Sequence, residues 1–401
     1  MDILIAHPYK HHAYNLAAGC HLSGAEISLA TPFYQKGIGK VFSNVPGMIG
    51  RKASGYYNKR IPKGLVLTNT WLQLIKLITL SRNPKSIEPI YDEYVSNKLR
   101  KRVWNPKVVV TLQDHMPKTS FVAKEMGAIL WSDQILNMSP EALARINEHH
   151  AAYGLGEFKY SEAINSEIIS VADIITVPSN YSEGGIVDRA SKSAIIKTIP
   201  YGVDNYIFDI ERGINNHDIF MLARANSVRK GGHLLLAAIE KTAKFLLDNS
   251  KKGIHVHFLG GLDSDLLPQY EKLNLPSGFK VSHGFCANSD VPNLLRRADF
   301  FLMPTLSEGM SLAMTEAMIA GVPILTTKYC GVDYFDRNSM GVEVLDTEES
   351  VCSGLREIFL NMAQWEEWGK NCKSVARSHT WNHYESDIAE FVRNLVSGGF
   401  V

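Results

Sequence analysis

Short apolar runs alternate with helix-like stretches along most of the chain, and this alternation predicts parallel β-sheets flanked by helices. The first series of strand-like runs comprises Ile3–Ala6, Ile27–Thr31, Val108–Leu112, Ala128–Ser132, Ile174–Val177 and Ile195–Ile199. The second series comprises Ile219–Ala223, His255–Leu259, Lys280–His283, Phe300–Met303 and Pro323–Thr326, with Gly341–Leu345 as a further candidate. The pattern therefore predicts an α/β protein with two doubly wound halves facing each other across a cleft.

A turn-rich segment separates the two series. It reads Ile-Pro-Tyr-Gly-Val-Asp over 199–204 and is followed by a polar stretch over 211–217. At 401 residues the chain is longer than one ordinary core supports. We therefore predict an N-terminal domain over residues 1–200 and a C-terminal domain over 201–380. Ligands of such sheets bind beyond the C-terminal ends of the strands.

The composition is that of a soluble globular protein, with 45% hydrophobic and 21% charged residues. Five scattered cysteines without a Cys-x-x-Cys pair favour reduced thiols in the cytosol. The first apolar run meets His7-Pro8 too soon for a signal peptide. The long apolar stretch over 64–80 contains Asn69, Gln73 and Lys76, so it falls short of a membrane-spanning helix.

Charge is distributed unevenly along the chain. Residues 1–104 carry 15 Lys and Arg against 5 Asp and Glu, although the whole chain has a net charge of only +1. This imbalance indicates a basic face for an anionic membrane surface, a phosphate-bearing acceptor or nucleic acid. Solvated charge without a partner is the alternative.

Two glutamates eight residues apart follow the strand Phe300–Met303. Glu308 falls in a strand-to-helix loop beside Gly309, and Glu316 falls inside the following helix. Glycine allows close backbone approach, and the first turn of a helix favours an anion. The carboxylates would lie on the order of 10 Å apart, which suits a ligand with polar groups on either side of a diphosphate. A solvated loop glutamate and an exposed helix glutamate are the alternative, and the spacing by itself favours it.

Two cations form a second cluster. Arg224 directly follows the strand Ile219–Ala223, and Lys230-Gly231 opens the next helix six residues later. A guanidinium and an ammonium beside a glycine-bearing helix start can neutralise a diphosphate and stabilise it as a leaving group. A pair of surface cations beside a loop is the alternative.

Together these motifs resemble the C-terminal half of the retaining GT-B glycosyltransferases of family four. The resemblance runs from near residue 160 to near residue 395 and includes the Glu-x7-Glu pattern. It is carried by Ala172-Asp173, Pro178-Ser179, Ile199–Asp204 with Phe208, Arg224, Lys230-Gly231, His283-Gly284-Phe285, Ala298-Asp299, Pro304–Ser311, Glu316–Pro323 and Thr380-Trp381.

The resemblance implies that a nucleotide-diphosphate sugar is bound mainly by the C-terminal domain. It assigns Glu308 to the hydroxyls of the donor sugar, Glu316 to the ribose, and Arg224 and Lys230 to the diphosphate. It also implies retention of configuration without a bound metal or other cofactor, because cations and helix dipoles offset the leaving group's charge. The final helix, residues 381–401, would cross back onto the N-terminal domain. The resemblance adds backbone N–H groups around Gly309, Met310 and Ser311 for the diphosphate, and Gly284 and Phe285 near the base.

The N-terminal half departs from the family pattern. The loop after the first strand has no glycine, and Ser132 or Asp133 stands where many members place a histidine. We predict that Asp133 contacts the sugar, with His115 and the pair His11-His12 as further candidates for the cleft. Adjacent histidines without a third ligand predict no metal site.

The sequence thus predicts a cytoplasmic, metal-independent, retaining hexosyltransferase for cell-surface polysaccharide or glycoconjugate synthesis. Its partners would be a nucleotide-sugar donor and a glycan, lipid-linked or small-molecule acceptor. The basic residues within 1–104 would bind the inner face of an anionic membrane. No nucleic-acid partner is expected. The alternatives are an inactive nucleotide-sugar-binding or scaffold protein, which the altered first loop leaves open, and a GT-B nucleotide-sugar epimerase.

Overall fold

Two all-parallel β-sheets form the framework of the protein. The computed structural model describes residues 2–10, 12–43, 56–79, 87–160, 162–204 and 218–399. Within these residues, one sheet has seven strands in the order β3-β2-β1-β4-β5-β6-β7, and the other has six in the order β10-β9-β8-β11-β12-β13. The predicted α/β fold class is therefore confirmed.

The strands of the first sheet lie before the predicted boundary at residue 200, and those of the second lie after it. The first seven are β1 Asp2–Ala6, β2 Glu26–Ala30, β3 Val66–Leu67, β4 Val108–Leu112, β5 Ile129–Asp133, β6 Ile174–Val177 and β7 Ile195–Thr198. The second six are β8 Ile219–Ala223, β9 Ile254–Leu259, β10 Phe279–Gly284, β11 Phe300–Met303, β12 Ile324–Thr326 and β13 Gly341–Glu343. The domain limits themselves stay a prediction.

Helices connect the strands, as parallel pairing requires. In the N-terminal part they are α1 Ala13–Leu22, α2 Ile38–Ser43, α3 Thr70–Thr79, α4 Glu88–Arg100, α5 Pro117–Glu125, α6 Pro140–Ala152, α7 Glu162–Val171 and α8 Asn180–Gly184. Those of the C-terminal part are α9 Gly232–Ser250, α10 Leu267–Glu271, α11 Val291–Arg297, α12 Leu312–Ile319, α13 Glu348–Leu360, α14 Trp365–Ala376 and α15 Trp381–Ser397.

Central strands are apolar throughout because both of their faces are covered. Every residue of β4, Val-Val-Val-Thr-Leu, is buried, and so is every residue of β8, Ile-Phe-Met-Leu-Ala. Continuous apolar runs of this kind are typical of parallel strands between two helix layers. The strand β3 is an addition to the prediction, because two residues are too few to show a pattern.

The last helix, α15, packs against α1 of the first sheet. A side chain at Gly19 in α1 would lie 2.7 Å from Cβ of Ile388, so the two helices approach closely. Just before α15, Thr380 pairs with Val203 in an isolated parallel bridge. The polypeptide thus returns from the second sheet to the first beside the segment that links them.

Candidate active site

A cleft of about 1110 Å³ opens between the two sheets and is lined by residues of both. The strands β8 and β11 end at it, as expected for a doubly wound sheet. The first sheet and its loops contribute, among others, Lys10, His12, Asn58, Lys59, Arg60, Gln113, His115 and Ile135. The link, the second sheet and α15 contribute, among others, Tyr201, Asp204, Arg224, Lys230, Phe285, Glu308, Met310, Ser311, Glu316, Trp381 and Glu385.

Glu308 lines the cleft from the C-terminal half and lies beside two cations. Its Oε1 is 3.1 Å from Nη1 of Arg229 and 3.3 Å from Nζ of Lys230. Burial raises the pKa of Glu308, but Arg229 and Lys230 outweigh it and hold the pKa below its usual range. The carboxylate is therefore charged at neutral pH. Arg229 was missed from the sequence, although its position directly before Lys230 could have indicated it.

Arg224 completes a group of three cations. Its Nη1 donates a 2.5 Å hydrogen bond to the carbonyl of Leu259. Gly260 has φ +95°, and a side chain there would collide with Nη1 of Arg224 at 1.8 Å. Glycine is thus needed both for the backbone conformation and for the space that the guanidinium occupies.

Glu316 faces the cleft from α12 and is partly exposed. Burial and the nearby carboxylate of Asp204 raise the pKa of Glu316 to about 7, and Arg224 opposes them. At neutral pH this side chain is therefore close to half protonated, so it can donate as well as accept a hydrogen bond.

In the loop between Glu308 and α12, protein groups make the contacts that were predicted for a diphosphate. A side chain at Gly309 would meet the carbonyl oxygen of Ile135 at 1.8 Å, so the close approach is by the opposite domain's backbone. The N–H of Ser311 donates to the carbonyl of Cys330 at 3.0 Å, and its hydroxyl caps α12 at the N–H of Met314. Ser311 therefore lines the cleft with its N–H already engaged, and the predicted contact of that group with a diphosphate is not supported.

The remaining predicted residues of this wall differ in exposure. Met310 is buried beside the cleft, and its Sδ accepts a 3.2 Å contact from the N–H of Tyr201. Phe285 is 88% exposed, and its ring lies over Gly261 at the cleft. Gly284, which ends β10, is placed next to it but is not part of the cleft lining.

Asp133 lies behind the N-terminal wall rather than on it. Its side chain is buried and makes two hydrogen bonds, to Nε2 of His12 and from the hydroxyl of Thr176. His12, directly before α1, lines the cleft in front of it. The sequence prediction placed Asp133 in contact with the sugar, whereas in the structure both side chains are buried and His12, not Asp133, is the one that lines the cleft.

His115 also lines the cleft, at the end of β4. Its Nδ1 lies 3.0 Å from Oε1 of Glu88, and its ring packs edge-on against His7 and Tyr9. His11 lies outside the described residues.

Among the described residues, no group of three or more His, Cys, Asp or Glu side chains is arranged to hold a metal ion. In the same ranges, no helix has the length and apolarity that crossing a bilayer requires.

The architecture defines the class of fold. Over 99% of this chain, the structure matches all of the sucrose-phosphate synthase of Thermosynechococcus elongatus with a TM-score of 0.67 at 14% identity. Two parallel Rossmann-like sheets facing a cleft, as described above, constitute the GT-B fold. The predicted fold is confirmed.

The second half of the chain is similar in sequence to known glycosyltransferases. Residues 216–359 match the family model "Glycosyl transferases group 1". The lipopolysaccharide glucosyltransferase WaaG of Escherichia coli is 28% identical over 132 residues, 32% of this chain and 33% of that protein. An Escherichia coli UDP-Gal:alpha-D-GlcNAc-diphosphoundecaprenol alpha-1,3-galactosyltransferase is 30% identical over 102 residues, 24% of this chain and 26% of that protein. The chain thus spans about a third or less of the length of each of these two relatives, and its residues 216–359 are similar to the group 1 glycosyltransferases.

Proposed function

We propose that this protein is a retaining glycosyltransferase that moves a sugar from a nucleotide-diphosphate sugar to a glycan, lipid-linked or small-molecule acceptor. The observation that carries the proposal is the buried Glu308, which pairs with Arg229 and Lys230. Glu308, Lys230 and Arg224 line one interdomain cleft, and Arg224 and Arg229 lie close enough to Lys230 to lower its pKa. Three cations and one carboxylate leave an excess of positive charge where a diphosphate leaving group would lie.

Burial of Lys230 among other cations favours binding of an anion beside it. Desolvation lowers the pKa of Lys230, and Arg229 and Arg224 lower it further against the opposing effect of Glu308. A diphosphate placed beside Lys230 would stabilise the charged form of its side chain. Binding would therefore offset part of the unfavourable free energy of holding three cations close together.

The reaction follows from this arrangement. The acceptor hydroxyl would attack the anomeric carbon from the face that the diphosphate leaves, and a phosphate oxygen would take the hydroxyl proton. Arg224 and Lys230 would offset the charge that develops on the leaving phosphate. Glu308 would accept hydrogen bonds from sugar hydroxyls, and Glu316 would bind the ribose diol. No enzyme nucleophile and no metal ion takes part in this mechanism.

The acceptor side has a different character. Lys10, Lys59 and Arg60 line the cleft from the N-terminal half, with Arg60 paired to Glu385 of α15. Trp71 and Leu74 on α3 point outward, 62% and 39% exposed. These features support a phosphate-bearing or lipid-linked acceptor at an anionic membrane surface, in cell-surface glycoconjugate synthesis. The names of both curated relatives, with lipopolysaccharide and a diphosphoundecaprenol-linked sugar, agree with this.

Binding and transfer can be tested separately. A thermal-shift panel of nucleoside diphosphates and their sugars identifies the donor, because a ligand stabilises the folded state by RT ln(1 + [L]/Kd). With that donor and an acceptor screen, Glu308→Gln should retain the thermal shift by the nucleoside diphosphate and lose about 100-fold or more in transfer rate. Glu271→Gln, at an exposed glutamate away from the cleft, is the matched control and should transfer normally.

The alternatives give different results. A protein that binds the nucleotide sugar but transfers to no acceptor would be the inactive binding protein. Conversion of the sugar nucleotide into its epimer without an acceptor would indicate the epimerase. A panel in which no nucleotide raises Tm would overturn the proposal as a whole.

A further inference from the structure

His12, directly before α1, and Asp133, the last residue of β5, form a buried pair. They are 121 residues apart in sequence, and Nε2 of His12 hydrogen-bonds Oδ2 of Asp133. The other carboxylate oxygen accepts the hydroxyl of Thr176 on β6. With both oxygens of Asp133 engaged, the imidazole ring is held in one orientation at the cleft wall.

The pair lies where the N-terminal wall meets the donor side. The carbonyl of Ile135, two residues after Asp133, touches Gly309. On the other side, the His12 ring lies 4.3 Å from the ring of Tyr201, whose N–H contacts Sδ of Met310. His12 is therefore flanked on two sides by contacts to the loop that follows Glu308.

Tyr201 supplies an independent indication of a ligand. It is 4% exposed, it lines the cleft, and its hydroxyl has no hydrogen-bond partner among the described residues. An unpaired buried hydroxyl costs free energy unless a ligand satisfies it. Burial, with a smaller contribution from the nearby Asp133, raises the pKa of the Tyr201 phenol, which stays a neutral hydroxyl that can donate.

We infer that His12 and Tyr201 together bind the hydroxyls of the transferred sugar, and that Asp133 is a positioning residue that orients His12. This inference rests on the proposed function. The diphosphate lies at Arg224 and Lys230, and the sugar must extend from it toward the N-terminal wall to meet an acceptor. A polar imidazole edge and a phenol hydroxyl at this wall match the hydroxyl groups of a hexose.

The test compares a nucleoside diphosphate with its own sugar conjugate, by calorimetry. The pair is chosen from UDP and UDP-glucose, GDP and GDP-mannose, or ADP and ADP-glucose, as the one that stabilises the wild-type protein. His12→Ala and Tyr201→Phe should each weaken sugar-nucleotide binding by about three- to tenfold, the loss expected for one hydrogen bond. Binding of the bare diphosphate should change less than about twofold, because its contacts lie on the C-terminal wall.

Matched variants separate positioning from general structure. Tyr384→Phe removes another unpartnered buried hydroxyl beside His12, at a ring distance of 6.3 Å but outside the cleft lining, and should leave both affinities unchanged. Asp133→Asn should lose sugar-nucleotide affinity selectively, without weakening the bare diphosphate. The amide of His12→Gln can still donate to Asp133, so this variant should bind the sugar nucleotide more tightly than His12→Ala does. Such partial recovery would show that the loss in His12→Ala does not come from a folding defect.

Each result bears on the inference. Equal weakening of both ligands, or no weakening in His12→Ala and Tyr201→Phe while the wild-type protein binds the pair, overturns it and leaves the proposed function intact. Failure of the wild-type protein to bind any of the pairs overturns the proposed function and this inference with it.

Discussion

At the scale of single residues, Glu316 shows how the cleft controls protonation. The side chain is only partly exposed, and the carboxylate of Asp204 faces it from the interdomain link. Both effects disfavour the charged form, and the pKa of Glu316 rises to about 7 from a usual value of 4.5. Folding therefore favours the protonated carboxyl, so the stability that Glu316 contributes is present below pH 4.5 and lost as pH rises through 7.

Glu316→Gln should remove this pH dependence, because the amide resembles the neutral carboxyl and cannot ionise. We expect similar Tm values for variant and wild type near pH 4.5, and a more stable variant at pH 8. A pKa unit corresponds to about 1.4 kcal/mol, and partial solvent exposure reduces the total to roughly 1–2 kcal/mol. Thermal melts without nucleotide from pH 4.5 to 8 measure the difference.

Asp204→Asn supplies the companion measurement. Removing the neighbouring charge should lower the pKa of Glu316, so the fall in stability between pH 4.5 and 7 should be smaller than in the wild type. Parallel pH curves for all three proteins would contradict the role assigned to burial and to Asp204.

Residue identity and residue role were predictable to different degrees. Glu308, Arg224 and Lys230 could be chosen from the sequence because strand ends and short spacings place them at one sheet edge. The pairing of Glu308 with Arg229, and of Asp133 with His12, could not be. Such contacts depend on which loops the packed sheets bring together.

At the scale of elements, α3 is the clearest case of a surface with two faces. Leu72 is buried, whereas Trp71 and Leu74 are exposed on the same helix. Lys76 is also buried, with Nζ 4.3 Å from the centre of the Tyr9 ring, and burial lowers its pKa to about 8. The described part of α3 therefore has both a buried and an exposed apolar face.

Trp71→Ala should weaken binding to anionic vesicles if α3 contacts the membrane. We expect the wild-type protein to sediment with mixed phosphatidylglycerol–phosphatidylcholine vesicles at low salt and much less at high salt, because the basic residues near the surface are screened. Loss of the Trp71 side chain should reduce binding by about tenfold.

Leu22→Ala is the control for this measurement, because Leu22 is 59% exposed on α1. It should bind vesicles as the wild type does. A wild-type protein that stays in the supernatant at low salt would refute membrane contact and would leave the proposed donor site unaffected.

At the scale of the whole molecule, α6 attaches the two halves to each other. Arg145 on α6 donates from Nε to the carbonyl of Leu306 at 2.9 Å, and its guanidinium lies 3.6 Å from the centre of the Tyr329 ring. One turn further, Nδ1 of His149 lies 2.9 Å from Nε2 of His233 on α9. His233 is fully buried, and burial, with smaller effects of His149 and His150, lowers its pKa to about 3.

The protein should therefore lose stability in acid through His233. Its unfolded form takes up a proton below pH 6.5 whereas the folded form resists until about pH 3, so the folded state loses about 1.4 kcal/mol per pH unit in that window. His233→Gln cannot titrate, and its melts between pH 6.5 and 4 should fall less steeply than those of the wild type.

Tyr153→Phe tests whether the effect is specific to titration. The Tyr153 ring contacts the same imidazole at 4.6 Å and has no group that ionises in acid. It should keep the acid dependence of the wild type, even if its stability differs overall. An unchanged slope in His233→Gln would contradict the buried, neutral state of this histidine.

The sequence by itself determined the two alternating strand series, the turn-rich segment over 199–204 that lies between them, and the spacing of Glu308 and Glu316 after β11. Periodicity and short-range spacing encode these features within a few residues of chain. The tertiary structure alone decided that His12 covers Asp133, that Gly309 admits the backbone of Ile135, and that α6 of the first half packs on the second. These contacts join segments separated by more than a hundred residues, and only the packing of the two sheets brings them into range.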